Sequence, residues 1–358
     1  MTVQLGIIGG GGIAMLHAEA AAKVGIRLAG VCDTRQERAQ ALAAKYPGAQ
    51  ATSSLDELLA MPELSAVVVA TPNVFHKDMA IAALRAGKDV LLEKPMAMNV
   101  AQCDEIIQTM RLTGRLLQLG FVCRCAPASQ AARDLVAGGS LGRVYHVRAT
   151  LCRRRGIPGL GKWFTTKSQS GGGVLMDLGV HMIDLLLHIT GYPKAMRAGA
   201  VCTSTFGAPI DRYTYTEMWS GPPNRQGVFD VEDAAMAFIR FDTGLTMELN
   251  VTWAANVPEG GLSDGIVLLG EQGGCYFDLW RNELIVTTEH DGELVDQRPP
   301  LPQCDPWEAA WQRQYELFSH ALTHRSVPHA SAQDGRIVQA LIDVLYRSAE
   351  QGRELEID

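Results

Sequence analysis

The sequence predicts an α/β chain in two parts. The first is an N-terminal doubly wound parallel sheet, and the second a C-terminal α+β domain built on an open, largely antiparallel sheet. Three observations carry this. The chain has 358 residues, more than one compact core usually accommodates. Its first third alternates short apolar runs with helix-period segments, as a parallel sheet with crossover helices requires. Beyond about residue 123 the pattern changes to runs that alternate with period two, as strands of an antiparallel sheet do.

The elements follow in order. Val3 to Ile8 is a short apolar run closed by four glycines, Gly9 to Gly12, and an Ala-rich helical pattern follows from Ile13 to about Val24. Leu28 to Cys32 reads as the second strand and Glu37 to Lys45 as the second helix. The β-branched run Val67 to Ala70 suits a strand buried on both faces. A helix from His76 to Arg85, a strand Val90 to Leu92, a helix opened by Asn99 and Val100, and a strand from Leu116 to Val122 complete the series. This places one domain at 1–122 and a second at 123–358, with the C-terminal helix expected to pack back near the first domain. In the second part a helix around Gln130 to Ala137 precedes Val144 to Leu151, which alternates as an exposed edge strand does. Gly171 to Gly173 precede a helix from about Val174 to Ile189. Further strands are expected at Ala235 to Phe241, Thr246 to Trp253, Gly265 to Leu269, Gly274 to Leu279 and Glu283 to Thr287. Two helices close the chain. Asp305 caps the first ahead of Pro306, and Ser331 to Asp334 form a capping box for the second.

Composition narrows the functional classes. Apolar residues make up 47% and charged residues 20%, a globular balance. A net charge of −7 argues against a surface built to grip nucleic acid. The 8 cysteines form no CxxC pair, so a zinc knuckle or thioredoxin-like site has no support and free thiols are expected. Met1-Thr2-Val3-Gln4 lacks the basic start of an export signal, and no run reaches the roughly 20 apolar residues of a membrane span. A cytoplasmic protein with no membrane partner is expected.

Gly9-x-Gly11-x-x-Ala14 sits between a strand and a helix. Gly9 permits the tight turn, Gly11 lets a pyrophosphate approach the backbone, and Ala14 lets the helix pack closely on the sheet. The helix N-terminus, at Gly12 and Ile13, offers unpaired N–H groups and the positive end of the helix dipole to phosphates. Asp33 stands at the end of the second strand, roughly 20 residues on, where a carboxylate accepts both adenosine ribose hydroxyls. A Rossmann dinucleotide site is therefore expected, with Asp33, Thr34 and Arg35 at the adenosine end. The acid favours NAD. Arg35, which can pair with a 2′-phosphate, keeps NADP as the alternative, and a capping role for the next helix is the structural alternative for Asp33.

Chemistry in such a sheet lies at the carboxyl ends of the strands. Thr71-Pro72-Asn73, with His76, and Glu93-Lys94-Pro95 both follow strands there. A lysine at such a position faces a cleft and can polarise a substrate hydroxyl. Asp177, His181, Asp184 and His188 are spaced by four, three and four, which puts them on one helical face. That spacing fits a metal ladder, yet no further ligand cluster accompanies it, and no metal is expected. The plainer reading makes Asp184 and His188 a structural pair.

Taken together, Gly9-x-Gly11-x-x-Ala14, Ala70-Thr71-Pro72-Asn73, Glu93-Lys94-Pro95 and Asp177-x-Gly179-x-His181 resemble the Gfo/Idh/MocA oxidoreductases over nearly the whole chain. The resemblance implies a Rossmann domain, a second domain whose open sheet forms a homodimer or homotetramer interface, and hydride transfer between a secondary alcohol and a nicotinamide. It implies that Lys94 bonds the reacting hydroxyl and that Pro95 fixes Lys94, often through a cis bond. By the same resemblance His181 is the general base, Asp177 orients substrate or base, and Glu93 and Asn73 line the cofactor. His76 is either cofactor-proximal or structural.

Arg153-Arg154-Arg155 and Trp163-Phe164-Thr165 resemble the members acting on glucosides and anhydrosugars. Arg153 and Arg154 can hold vicinal hydroxyls, and Trp163 can stack on a sugar or cover the cofactor. The alternative is a structural loop with an aromatic plug. The expected substrate is a sugar, glycoside or cyclitol. Two other uses of the fold stay open: a glycosidase that oxidises C3 transiently, and a non-catalytic dinucleotide or sugar sensor.

Overall fold

A computed structural model describes residues 3–216, 218, 220–258 and 264–357; Met1 and Thr2, where the reading of the N-terminus begins, lie outside them. The chain divides into two compact units. The first comprises Met1–Val122 with Trp311–Gln339, and the second comprises Cys123–Ala310 with Ala340–Asp358.

In the first unit β1 (Gln4–Ile8), α1 (Gly12–Lys23), β2 (Arg27–Cys32), α2 (Gln36–Ala43), β3 (Gln50–Thr52), α3 (Leu55–Leu59), β4 (Ala66–Val69), α4 (His76–Arg85), β5 (Asp89–Leu92), α5 (Val100–Thr113) and β6 (Leu117–Leu119) alternate along the chain. The six strands pair in the order β3-β2-β1-β4-β5-β6, all parallel. This is the dinucleotide-binding order, with its reversal between β1 and β4. Strands β4 and β5 are buried along their whole length, which explains their unbroken apolar runs. Ala14, Ala18 and Ala21 of α1 are no more than 1% exposed, so small side chains bring the helix close to the sheet. Asn99 caps α5 by accepting the Gln102 N–H at 3.0 Å, and Gly114 ends it at φ +63.

The stretch 311–339 also belongs to this unit, so 123–358 is not a single second domain. Leu119 N–H donates to the Ala330 carbonyl at 2.9 Å, Arg325 bonds Asp89 at 2.7 Å, and Tyr315 and Phe318 are fully buried.

The second unit holds α6 (Pro127–Ala137), β7 (Val144–Cys152), the short α7 (Lys167–Ser170), α8 (Val180–Thr190), β8 (Ala195–Thr203), β9 (Ala234–Phe241), β10 (Thr246–Thr252), β11 (Gly265–Gly270), β12 (Gly273–Asp278), β13 (Glu283–His290) and β14 (Glu293–Gln297). Then come α9 (Pro306–His324) and α10 (Ala332–Gln351), each divided between the units, and β15 (Leu355–Glu356). Its sheet runs β14-β13-β12-β11-β7-β10-β9-β8-β15. The pairs are antiparallel except β7 with β10. Strict alternation of buried and exposed residues along β9 gives the sheet one packed and one open face. Both expected caps form: Asp305 accepts the Glu308 N–H at 2.8 Å, and Ser331 and Asp334 bond reciprocally.

Ala195–Thr203 is a strand that the sequence does not announce, because its Ala, Gly and Arg content hides the alternation. Three expectations change. β7, expected as an exposed edge strand, lies inside the sheet between β11 and β10. The helix expected from Val174 opens instead as a π turn, Leu175–Gly179, before α8 begins. The helical stretch Lys167–Thr190 is also long and apolar enough for a membrane span, at 24 residues and mean hydropathy 1.4; 83% of its apolar window is buried, as in a core helix.

Candidate functional site

In the first unit the two glycines of the loop do different work. Gly9 has φ +100, and a Cβ there would stand 2.5 Å from the Ala70 carbonyl oxygen, so the fold itself demands glycine. Gly11 has an ordinary φ of −78, and a Cβ on it would meet nothing within 4 Å. The protein does not need glycine at 11. The bare backbone leaves room there for a ligand to approach. Gly11 is also the N-cap of α1 and offers no side chain to its first turn, which leaves the N–H groups of Gly12 and Ile13 to a ligand.

Asp33 sits at the mouth of this loop. Its Oδ2 accepts the Gly10 N–H at 2.7 Å and its Oδ1 the Arg35 N–H at 2.8 Å. It thus braces the glycine turn and the approach to α2, whose N-cap is Arg35. Each oxygen retains a second lone pair for a ribose hydroxyl. Thr34 and Arg35 are exposed beside it.

Across the switch point, Thr71 Oγ1 is buried with no hydrogen-bond partner. A buried hydroxyl without a partner costs free energy unless a ligand or water meets it. Together with the bare Gly11 and the uncapped turn, it makes these residues fit a dinucleotide. Asn73 is buried in the turn after Pro72.

His76 is fully buried, and both ring nitrogens meet carbonyl oxygens: Nδ1 that of Pro95 at 2.7 Å, Nε2 that of Thr71 at 3.0 Å. The ring therefore ties together the loops that follow β4 and β5. Burial lowers its pKa, outweighing the two carbonyls and Glu93, which pull it up. Lys94 stands half-buried at the end of β5, joined to Pro95 by a cis peptide.

Glu93 points inward. Its Oε1 meets His17 Nε2 at 2.9 Å, its Oε2 accepts the Lys94 N–H at 3.1 Å, and His17 Nδ1 meets Tyr315 Oη at 2.8 Å. His17 and Tyr315 were not singled out in the sequence. Tyr315 lies 298 residues from His17, beyond any local pattern.

In the second unit Asp177 lies within the π turn and His181 in the first turn of α8, both half-buried. The wider turn breaks the four-three-four register expected for this helix. Asp177 Oδ2 accepts the indole N–H of Trp253 at 2.9 Å, and Trp253 is fully buried. Asp184 is fully buried and bonds Arg124, Nε to Oδ2 at 2.8 Å and Nη2 to Oδ1 at 2.5 Å, with Tyr192 completing the group. This bidentate pair gives Asp184 a structural role with Arg124. No group of three His, Cys, Asp or Glu gathers as a metal site among the described residues.

The arginine run splits by role. Arg155 bonds the Ala255 carbonyl and Asn256 Oδ1 and lies 4.6 Å from the Phe206 ring centroid, so it braces the loop. Arg153 is half-buried and Arg154 exposed. Trp163 stacks on Phe164, centroids 3.8 Å apart, and both rings are half-buried.

Known proteins share this architecture. Residues 3–121 match the model of an oxidoreductase family with an NAD-binding Rossmann fold, and residues 129–276 match the GFO/IDH/MocA C-terminal domain. D-glucoside 3-dehydrogenase of Escherichia coli (strain K12) is 31% identical over 357 residues, 99% of this chain and 97% of its own. The crystal structure of an oxidoreductase domain protein from Kribbella flavida is 27% identical with TM-score 0.87, both chains covered in full. A levoglucosan dehydrogenase in complex with NADH and levoglucosan has the same TM-score, 0.87, at 22% identity, again over both whole chains. The glycine cradle, the parallel strand order and full-length similarity agree: this chain belongs to the GFO/IDH/MocA oxidoreductases, enzymes built on an NAD-binding Rossmann domain.

Proposed function

We propose that the enzyme transfers hydride between a secondary hydroxyl of a sugar, glycoside or cyclitol and the nicotinamide of NAD. The observation that carries this reading is Lys94, held at the carboxyl end of β5 while the glycine cradle opens at the end of β1. The sugar class rests on similarity to a D-glucoside 3-dehydrogenase along the whole chain.

NAD, when bound, accepts the hydride. Gly11, Gly12 and Ile13 hold its pyrophosphate, Asp33 its ribose, and Thr71 offers the buried hydroxyl. Asp33 favours NAD over NADP because a carboxylate repels a 2′-phosphate. Lys94 donates a hydrogen bond to the reacting hydroxyl and stabilises the alkoxide that develops there. His181 takes the hydroxyl proton, and Asp177, its carboxylate fixed by Trp253, orients the substrate or His181. Arg153 and Arg154 meet further hydroxyls of the sugar.

Assembly through the second unit's sheet belongs to the same reading. Val201 and Met236 are cross-strand neighbours on its open face, 58% and 48% exposed, with Phe238 beside them. An apolar face of this kind suits a second copy of the chain. We place the enzyme in the cytoplasm.

The test is NADH absorbance on mixing NAD with a panel of glucosides, anhydrosugars and inositols. Turnover of at least one is expected. Failure with every compound, in both directions and with both cofactors, removes the reading.

A further inference from the structure

Glu232 was not singled out in the sequence, and it is buried at 8% exposure. It serves the start of the helix that carries Asp177. Its Oε1 accepts the N–H groups of Gly173 and Leu175, both at 3.0 Å, and the Tyr346 hydroxyl at 2.8 Å. Its Oε2 also accepts from Gly173 at 3.0 Å, and its main-chain oxygen accepts the Val174 N–H at 3.1 Å. Three successive N–H groups are thus satisfied by one residue 57 positions from Leu175. Val174, the local N-cap, has no side-chain cap of its own. A carboxylate in this place also meets the positive end of the helix dipole.

The glycine run Gly171-Gly172-Gly173 now has a physical reason. A Cβ on Gly172 would stand 2.0 Å from the Tyr346 hydroxyl oxygen, and one on Gly173 would stand 1.9 Å from the Glu232 carbonyl oxygen. These glycines make room for the anchor.

The anchor reaches Asp177 from two sides. Asp177 N–H donates to the Gly173 carbonyl at 3.0 Å, so Asp177 hangs on the residue that Glu232 holds. The next residue, Asp233, accepts the backbone N–H of Trp253 at 2.8 Å, and the Trp253 indole binds the Asp177 carboxylate. We propose that Glu232, backed by Tyr346, is a positioning residue for this reaction: it fixes the π turn from behind and thereby sets the direction of the Asp177 carboxylate. The proposal rests on the reading of Asp177 as a substrate-facing group.

Glu232→Ala, Glu232→Gln and Tyr346→Phe test it. Glu232→Gln keeps Oε1, the oxygen that takes three of the bonds, and therefore serves as rescue. Glu232→Ala is expected to lower kcat about 30-fold, the order set by losing hydrogen bonds to a charged group. NAD affinity should stay within about twofold. Glu232→Gln should remain within about threefold of wild type, and Tyr346→Phe should lose about threefold. The indole N–H resonance of Trp253, assigned with Trp253→Phe, reads the geometry without turnover. It should shift in Glu232→Ala and Tyr346→Phe and stay in place in Glu232→Gln.

An unmoved resonance in Glu232→Ala overturns the proposal. So does NAD affinity that falls in step with kcat, or a Gln variant as impaired as the Ala variant. If Glu232→Ala does not fold, Tyr346→Phe decides by the same resonance. If the wild type oxidises nothing in the panel, the sugar reading fails, and the resonance still decides whether Glu232 sets Asp177.

Discussion

In the first unit Lys94 is held by neighbours close in sequence. His76 bridges the loops after β4 and β5, reaching Pro95 19 residues on and Thr71 5 residues back. In the second unit Asp177 is held by residues far along the chain, Trp253 at 76 positions and, through the glycine run, Glu232. The contrast follows from topology. A parallel sheet brings consecutive strand ends to one edge, so its site residues sit in short loops that a local motif records. The second unit holds its candidate residue Asp177 by packing a helix start against a distant loop and a buried indole, and each needs partners that no local pattern specifies.

The largest effects should come from the proposed reacting groups in both units. Lys94→Ala and His181→Ala should each reduce kcat by roughly 10³-fold, within the range for proton-transfer and hydroxyl-polarising groups. The His181 change should leave NAD affinity nearly intact; a variant with weaker NAD binding and normal turnover reverses its role. Next in size is a stability effect confined to the second unit. Arg124→Ala leaves Asp184 charged and buried without its guanidinium, which should cost about 3–5 kcal/mol in denaturant unfolding. A loss below 1 kcal/mol would show that the pair is dispensable to this packing.

Asp33→Ala should cut the preference for NAD over NADP about 10-fold, read from the ratio of kcat/KM values. An unchanged ratio would leave Asp33 only its bonds to Gly10 and Arg35. His76 sharpens the comparison through pH. Its folded pKa is lowered by burial, so its contribution to stability is present above the unfolded value near 6.5 and is lost as pH falls through the folded value. Plotted against pH below 6.5, the melting temperature should fall more steeply for wild type than for His76→Asn. Parallel curves would mean that the ring does not titrate with unfolding. The smallest change is expected at the exposed Arg154: Arg154→Ala should raise the KM for sugar about threefold, and an unaltered KM removes it from the substrate site.

The sequence alone determined the Rossmann part. Branched apolar runs dictate strands buried on both faces, Gly9 dictates a positive φ, and Asp33 dictates an acid at the end of β2; each depends on residues near in sequence. The alternation in β9 likewise announced a strand of an antiparallel sheet. Tertiary structure decided the rest. It turned Glu93 inward towards His17 and Tyr315, made Asp184 the partner of Arg124, inserted a π turn under Asp177, and assigned 311–339 to the first unit. The physical reason is common to these cases. A buried polar group must find a partner wherever the packed chain offers one, and that partner is fixed by three-dimensional proximity, which sequence spacing does not record.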